Sequence, residues 1–200
     1  MANEHSQSNT QMTGILLAAG AGSRFGAQVG AKLLHKLDGV AIGVHSARNM
    51  LSAGLRVTAV VRPGSEELTR LLEAEGVAVT VCKNAADGMG VSLAHVIGQT
   101  RDAPGWVVAL ADMPRIRPET IVQVANAVRA GATLVAPAYK AERGHPVGFG
   151  AALRDELLAC GGDEGARSVI KRHHADMRLL ATDDPGVIFD IDRREDVPPV

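Results

Sequence analysis

The stretch LLAAGAGSRFG, Leu16 to Gly26, is a run of small apolar residues that ends in glycines, an arginine and a further glycine. A short buried strand over Gly14–Ala18 that runs straight into a glycine turn is how a parallel α/β sheet begins. Two phosphate-binding loops compete for the turn. The dinucleotide fingerprint G-x-G-x-x-G fails by one position, because Gly20, Gly22 and Gly26 give G-x-G-x-x-x-G. It also requires an acid at the end of the second strand, and that strand ends VVRP, Val60 to Pro63. Arg24 and Lys32 supply fixed positive charge in and after the loop, which suits a triphosphate better than a pyrophosphate bridge. A tight connection with a solvated arginine is the plainer alternative.

Working outward, strands and helices alternate. Apolar residues at helical spacing predict a helix over Leu37–Ala53, stopped by Gly54. Strands are expected at Arg56–Val61, Val77–Cys82 and Trp106–Ala111, and further ones at Thr133–Pro137, Val147–Gly150 and Ile188–Ile191. Helices are expected at Ser65–Glu75 with Ser65 as N-cap, at Val91–Thr100, from Pro118 to Ala130, and over Ala151–Ala159 and Glu164–His173. The order predicts a three-layer, mostly parallel sheet covered on both faces. Residues 1–12 read as a disordered tail, and 13–200 as a single domain. In such a sheet ligands bind at the carboxyl ends of the strands. The residues to inspect are therefore the glycine loop, the loop near Gly88, Asp112, and Asp190 with Asp192.

Composition narrows the partners. Aromatics are 2% of the 200 residues, too few for a platform that stacks single-stranded nucleic acid, and a formal net charge of -1 favours neither nucleic acid nor an anionic membrane. The N-terminus is polar without an apolar signal region, and no apolar run approaches the ~20 residues of a membrane span. Cys82 and Cys160 lack metal-site spacing and read as buried and inert, consistent with a reduced cytoplasmic protein. His173 and His174 are adjacent on a helix end and do not face one another, so they suggest no metal site.

Six motifs then fall in order along the chain: Leu17–Gly26 with Lys32-Leu33-Leu34, Gly88–Leu93, Ala111-Asp112-Met113-Pro114, Gly144-His145-Pro146-Val147, Gly162–Arg167 and Asp190–Asp196. This series resembles the Rossmann-like nucleotidyltransferases, whose loop runs LAAGxGxRxG. Within them it resembles the MobA-like group, and most closely the molybdenum cofactor cytidylyltransferases. Two features depart from the pattern. Five residues, Ala27 to Ala31, precede Lys32 where that family keeps one or two, and Arg193-Arg194 stands where it usually has Thr-Pro.

The resemblance implies a nucleotide-diphospho-sugar-transferase-type fold and Mg²⁺-dependent transfer of CMP from CTP to the phosphate of a molybdopterin-type acceptor. GTP is the close variant, and a molybdoenzyme or its chaperone the further partner. Leu17, Ala18, Ala19, Gly20, Gly22, Ser23, Gly88 and Ser92 would then meet the nucleotide, with Ser92 also a candidate N-cap. Arg24 and Lys32 would hold the β- and γ-phosphates. Asp112, at the end of the apolar run VVALAD, and Asp192, supported by Asp190, would hold the metal; hard carboxylate oxygens suit that ion. Asp112 has the alternative of capping the turn into MPRIRP. His145, Asp163 and Arg167 would face the acceptor. Asp163 reads also as a helix N-cap, Arg167 equally as a solvated arginine, and His145 as a hydrogen-bonded loop residue. An NAD(P)H-dependent oxidoreductase of a heteroaromatic or quinone-like dye on the same scaffold is the alternative class. A chaperone-like protein that binds cofactor without turnover is a third.

Overall fold

A computed structural model describes residues 11–25 and 30–197. The first strand, β1 (Thr13–Leu17), is buried on both faces, and its residues alternate between two cores: Leu16 faces one and Ile15 the other. That alternation is what a strand covered by helices on both sides requires. The next elements are a single helical turn α1 (Ala31–Leu34), a hairpin of β2 (Lys36–Leu37) and β3 (Val40–Ala41), and helix α2 (Ile42–Ser52). The chain continues through β4 (Arg56–Val61), α3 (Glu66–Ala74), β5 (Ala78–Val81), α4 (Met89–Gln99) and β6 (Gly105–Leu110). It then forms α5 (Pro118–Arg129), β7 (Leu134–Tyr139), β8 (Glu142–Arg143), β9 (Val147–Gly150), α6 (Arg154–Leu158), α7 (Arg167–Arg172) and β10 (Met177–Thr182).

The main sheet runs β10-β7-β9-β6-β1-β4-β5, with β8 paired to β7. All pairings are parallel except those of β9 with β6 and β7 and of β8 with β7. Core residues of α2, α3 and α5 lie on one face, and those of α4, α6 and α7 on the other. The three-layer, mostly parallel expectation holds. The strand order reverses at β1, whose neighbours are β4 and β6, and a crevice opens there beyond the carboxyl ends of the strands.

Several local expectations are corrected. The helix expected over Leu37–Ala53 starts only at Ile42, because Asp38 (φ 49°) and Gly39 (φ 79°) form a two-residue hairpin turn. Asp-Gly is the favoured chemistry for such a turn. Met12 does not belong to a tail: it is 1% exposed in the core, and the Gln11 amide donates to the carbonyl of Gly54. The tail assignment for 1–10 lies outside the described residues, as does Gly26 of the glycine loop. Residues 188–191 form no strand. Pro185–Ile188 is a 3-10 turn, and the run that follows is tied down by one bond, from the Ile191 N–H to the Asp112 carbonyl at 2.9 Å. Of the expected run only Ile191 is fully buried, with Ile188 and Phe189 half-buried. Ser65 stands at the head of α3 without a capping side-chain bond. Cys82 is buried, whereas Cys160 is only half-buried and its thiol is pushed up by desolvation.

Candidate active site at the carboxyl ends of β1, β4 and β6

A cleft of about 360 Å³ opens at the reversal of strand order. One wall is the glycine loop, with Leu17, Ala19, Gly20 and Gly22; another is the start of α4, with Gly88 and Ser92; Lys32 and Asp112 line it as well. A Cβ added at Gly20 would meet no protein atom within 4 Å, so the space beside that backbone is open to a ligand. Gly22 is different, for its φ of 63° is a conformation that favours glycine, and a Cβ there would stand 3.2 Å from Lys32 Cβ. The close approach lets Lys32 lie against the loop. Of the other expected nucleotide contacts, Ala18 is buried and Ser23 exposed, both off the wall of this cleft.

Charges from three distant segments converge. The Lys32 ammonium, on a side chain only 10% exposed, lies 2.6 Å from Asp112 Oδ2 and 3.7 Å from Asp192 Oδ1. Arg24 Nη1 donates to Asp192 Oδ2 at 2.8 Å. The Arg24 hydrogen bond is the main cause that holds the Asp192 carboxyl below its ordinary range, against some desolvation and with help from the Lys32 charge. Arg24 is itself exposed, so its own pairing is screened. Asp190 is exposed and adds only to the field at Arg24. It does not share a strand face with Asp192, since no strand forms there. The Arg194 Nε donates to the Phe25 carbonyl at 3.3 Å, and its guanidinium lies 5.6 Å from the Phe25 ring. The arginine that departs from the usual pattern thus fastens the C-terminal segment to the glycine loop.

Gly88 and Gly90 form the head of α4 by a different logic. A Cβ at Gly88 would fall 2.2 Å from the Gly162 backbone, and one at Gly90 2.5 Å from the Gly161 carbonyl. The two glycine pairs allow backbone to lie on backbone. Asp163 is brought to the cleft wall by this contact. It is not an N-cap: it sits in the 3-10 turn Gly162–Glu164, and Ala166 precedes α7. Ser92 is likewise inside α4, whose N-cap is Gly88. Arg167 is exposed and off the cleft wall. His145 stands behind the cleft. Its backbone N–H donates to the Val187 carbonyl at 2.8 Å, and its Nδ1 is buried without a hydrogen-bond partner among the described residues. Desolvation first, then the Arg143 charge, lowers its pKa to about 4, against a smaller upward pull from Asp112.

Sequence reading passed over Arg62, the residue after β4. It lines the cleft, and its Nη1 is buried with no hydrogen-bond partner among the described residues. Its only signal was position, at the carboxyl end of a strand flanking β1.

A family model described as MobA-like NTP transferase domain matches residues 14–177. The chain belongs to this family. Nicotine blue oxidoreductase of Paenarthrobacter nicotinovorans is 28% identical over 193 residues, covering 92% of this chain and 93% of that protein. A probable molybdenum cofactor guanylyltransferase of Thermococcus sibiricus is 32% identical over 127 residues, or 62% of this chain and 60% of that one. Among solved structures, Rv0371c of Mycobacterium tuberculosis H37Rv superposes with a TM-score of 0.81 at 26% identity, covering 94% of this chain and 96% of that one. Its complex with manganese superposes at 0.75, with 25% identity and coverage of 94% and 96%. Fold and family agree with the nucleotidyltransferase architecture expected from the motifs.

Proposed function

We propose that the protein transfers a CMP group from CTP to the terminal phosphate of a molybdopterin-type acceptor, with GTP as the close variant donor. The observation that carries this reading is the pairing of Lys32, on the cleft wall, with Asp112 on the same wall and with Asp192 next to it. Two carboxylates reach one cationic centre there, which is the donor set a hard divalent ion takes together with phosphate oxygens. Among the described residues no group of three or more His, Cys, Asp or Glu is placed to hold a metal without such oxygens. The residues therefore fit an ion delivered with a nucleotide, Mg²⁺ in our reading, and the manganese complex of Rv0371c supports a divalent ion at this fold. When bound, the ion would supply charge neutralisation at the α-phosphate.

The chain's own work is positioning and electrostatics. An oxygen of the acceptor phosphate forms a bond to the α-phosphorus, the bond from that phosphorus to the bridging oxygen breaks, and pyrophosphate leaves with the electron pair. Lys32 and Arg24 take up the β- and γ-phosphate charge, releasing Asp112 and Asp192 from their ion pairs. The backbone beside Gly20 lies along the nucleotide. Asp163, on the cleft wall beside the head of α4, is the residue of the Gly162–Arg167 motif left to meet the acceptor. His145 stays neutral near pH 7 and presents an imidazole, not a cation, behind Asp112.

A second reading is kept by the nicotine blue oxidoreductase similarity, which spans nearly the whole chain. It gives the glycine loop to NAD(P)H and leaves Asp112 and Asp192 without a task. Thermal unfolding separates the two, since a ligand of the native state raises the midpoint by mass action. CTP or GTP with Mg²⁺ should raise it, EDTA or Asp112→Asn should abolish the rise, and NADPH should have no effect. A rise with NADPH that ignores EDTA would overturn the transferase reading.

A further inference from the structure

Among the described residues, no hydrogen-bond partner meets Nη1 of Arg62. Leu17 of β1 pairs with Val60 of β4 on one side and with Leu110 of β6 on the other. Arg62 and Asp112 are each two residues further along, so they flank the glycine loop at the same height. They stand two strand spacings apart, about 10 Å. With the α-phosphate beside Asp112, that separation carries Arg62 past the sugar. The wall around Arg62 has the character a base needs. Ala85 and Met89 line it, and Met89 is 46% exposed, an apolar side chain left open at the mouth of a cleft. A phosphate gains nothing from such a surface, whereas the flat face of a base does. The Arg62 guanidinium adds a donor edge, with Nη1 already desolvated and unpaired. A buried donor without a partner is costly, and a ligand acceptor relieves that cost.

We infer that Arg62 reads the nucleobase, donating two parallel N–H bonds to adjacent acceptors on its edge while Met89 packs on its face. This rests on the nucleoside triphosphate reading of the cleft. Guanidinium offers donors only. Cytosine presents O2 and N3 as neighbouring acceptors, and guanine presents O6 and N7. Uracil places an N–H at N3, and adenine an amino group beside N7, so each sets a donor against a donor. Arg62 thus selects cytosine or guanine over uracil or adenine without contact to the phosphates.

The test is an equilibrium binding series with Mg²⁺ and CTP, GTP, UTP, ATP or inorganic tripolyphosphate, on wild type, Arg62→Met and Arg62→Lys. Unliganded melting confirms that each variant is folded, and the lysine variant retains charge at the site if methionine does not fold. Wild type should bind CTP or GTP about tenfold to a hundredfold more tightly than UTP and ATP, as a bidentate base contact provides. Both variants should lose that ranking, because lysine keeps the charge but not the fork. Tripolyphosphate should bind all three alike. A retained ranking in both variants overturns the inference and leaves the triphosphate reading standing. Equal losses for every nucleotide and for tripolyphosphate overturn it too, and make Arg62 a phosphate ligand. Failure of wild type to bind any nucleoside triphosphate overturns the reading of the cleft itself.

Discussion

The Lys32 ammonium holds Asp112 and Asp192 together at 2.6 and 3.7 Å, in a position that is neither open to solvent nor fully enclosed. Replacing it by methionine leaves Asp112 without its cation, beside an Asp192 that keeps only the exposed Arg24. Between an exposed pair and a buried one, the expected loss is about 2 kcal/mol. Urea unfolding of Lys32→Met in EDTA should show it, and Mg²⁺ should restore much more stability to the variant than to wild type. Equal Mg²⁺ responses would mean that the carboxylates do not act as a pair. His145 gives a second expectation, in pH. Its folded pKa of about 4 lies below the ordinary 6.5, so the folded state binds the proton less readily than the unfolded chain. The contribution is therefore whole above pH 6.5 and is lost as pH falls toward 4, to a total of about 3 kcal/mol. His145→Gln should flatten metal-free stability over that window; an unchanged acid slope would place the sensitivity elsewhere.

At the scale of elements, α4 carries two glycines of opposite meaning. Gly90 presses on the Gly161 carbonyl, where a Cβ would come within 2.5 Å, while Gly98 near the other end has only Leu158 Cδ2 at 3.8 Å. Gly90→Ala should destabilise by about 1–3 kcal/mol, since backbone must shift. Gly98→Ala should stabilise by about 0.5 kcal/mol through helix propensity alone. Denaturant midpoints of the two variants test both signs, and a neutral Gly90→Ala would mean that the 161–163 turn yields freely. Such contrasts also mark what the sequence could convey. The strands β1, β4 and β6 were legible because continuous burial writes itself as continuous apolar runs. The carboxylate at the end of β6 and the cations of the loop were legible for the same reason, as strand ends locate sites. The edge strand β10 was not, because all its residues are exposed or half-exposed, without strict alternation, and include Arg178. Asp38-Gly39 did carry its turn signal, overridden by the helical spacing around it. The packing contact of Gly88 was not legible, because its partner, Gly162, lies 74 residues away and no local pattern names it. Arg62 was missed for a similar reason: an unpaired donor is visible only when everything around it is in place.

At the scale of the molecule, four charged groups from segments around residues 24, 32, 112 and 192 neutralise one another beside the cleft. Arg24 and Asp192 are 168 residues apart in sequence, so the fold itself holds this balance. The balance has a thermodynamic consequence. A divalent ion alone must displace Lys32 and Arg24 from the carboxylates, and a triphosphate alone must approach those carboxylates unscreened. Arriving together, the phosphates take the two cations and the carboxylates take the metal, so every charge is again opposed. Metal and nucleotide should therefore bind with positive coupling of about 1–3 kcal/mol, reciprocal by linkage. Calorimetric titration of Mg²⁺ with and without saturating CTP, corrected for the ion's own affinity for CTP in buffer, should show Mg²⁺ binding about 5- to 150-fold tighter with nucleotide present. CTP affinity should rise with Mg²⁺ by the same factor. Arg24→Gln should shrink the coupling, because Asp192 would then be free for the metal before the nucleotide arrives. Mg²⁺ and CTP that bind independently would show that these ion pairs are not the ones exchanged on binding.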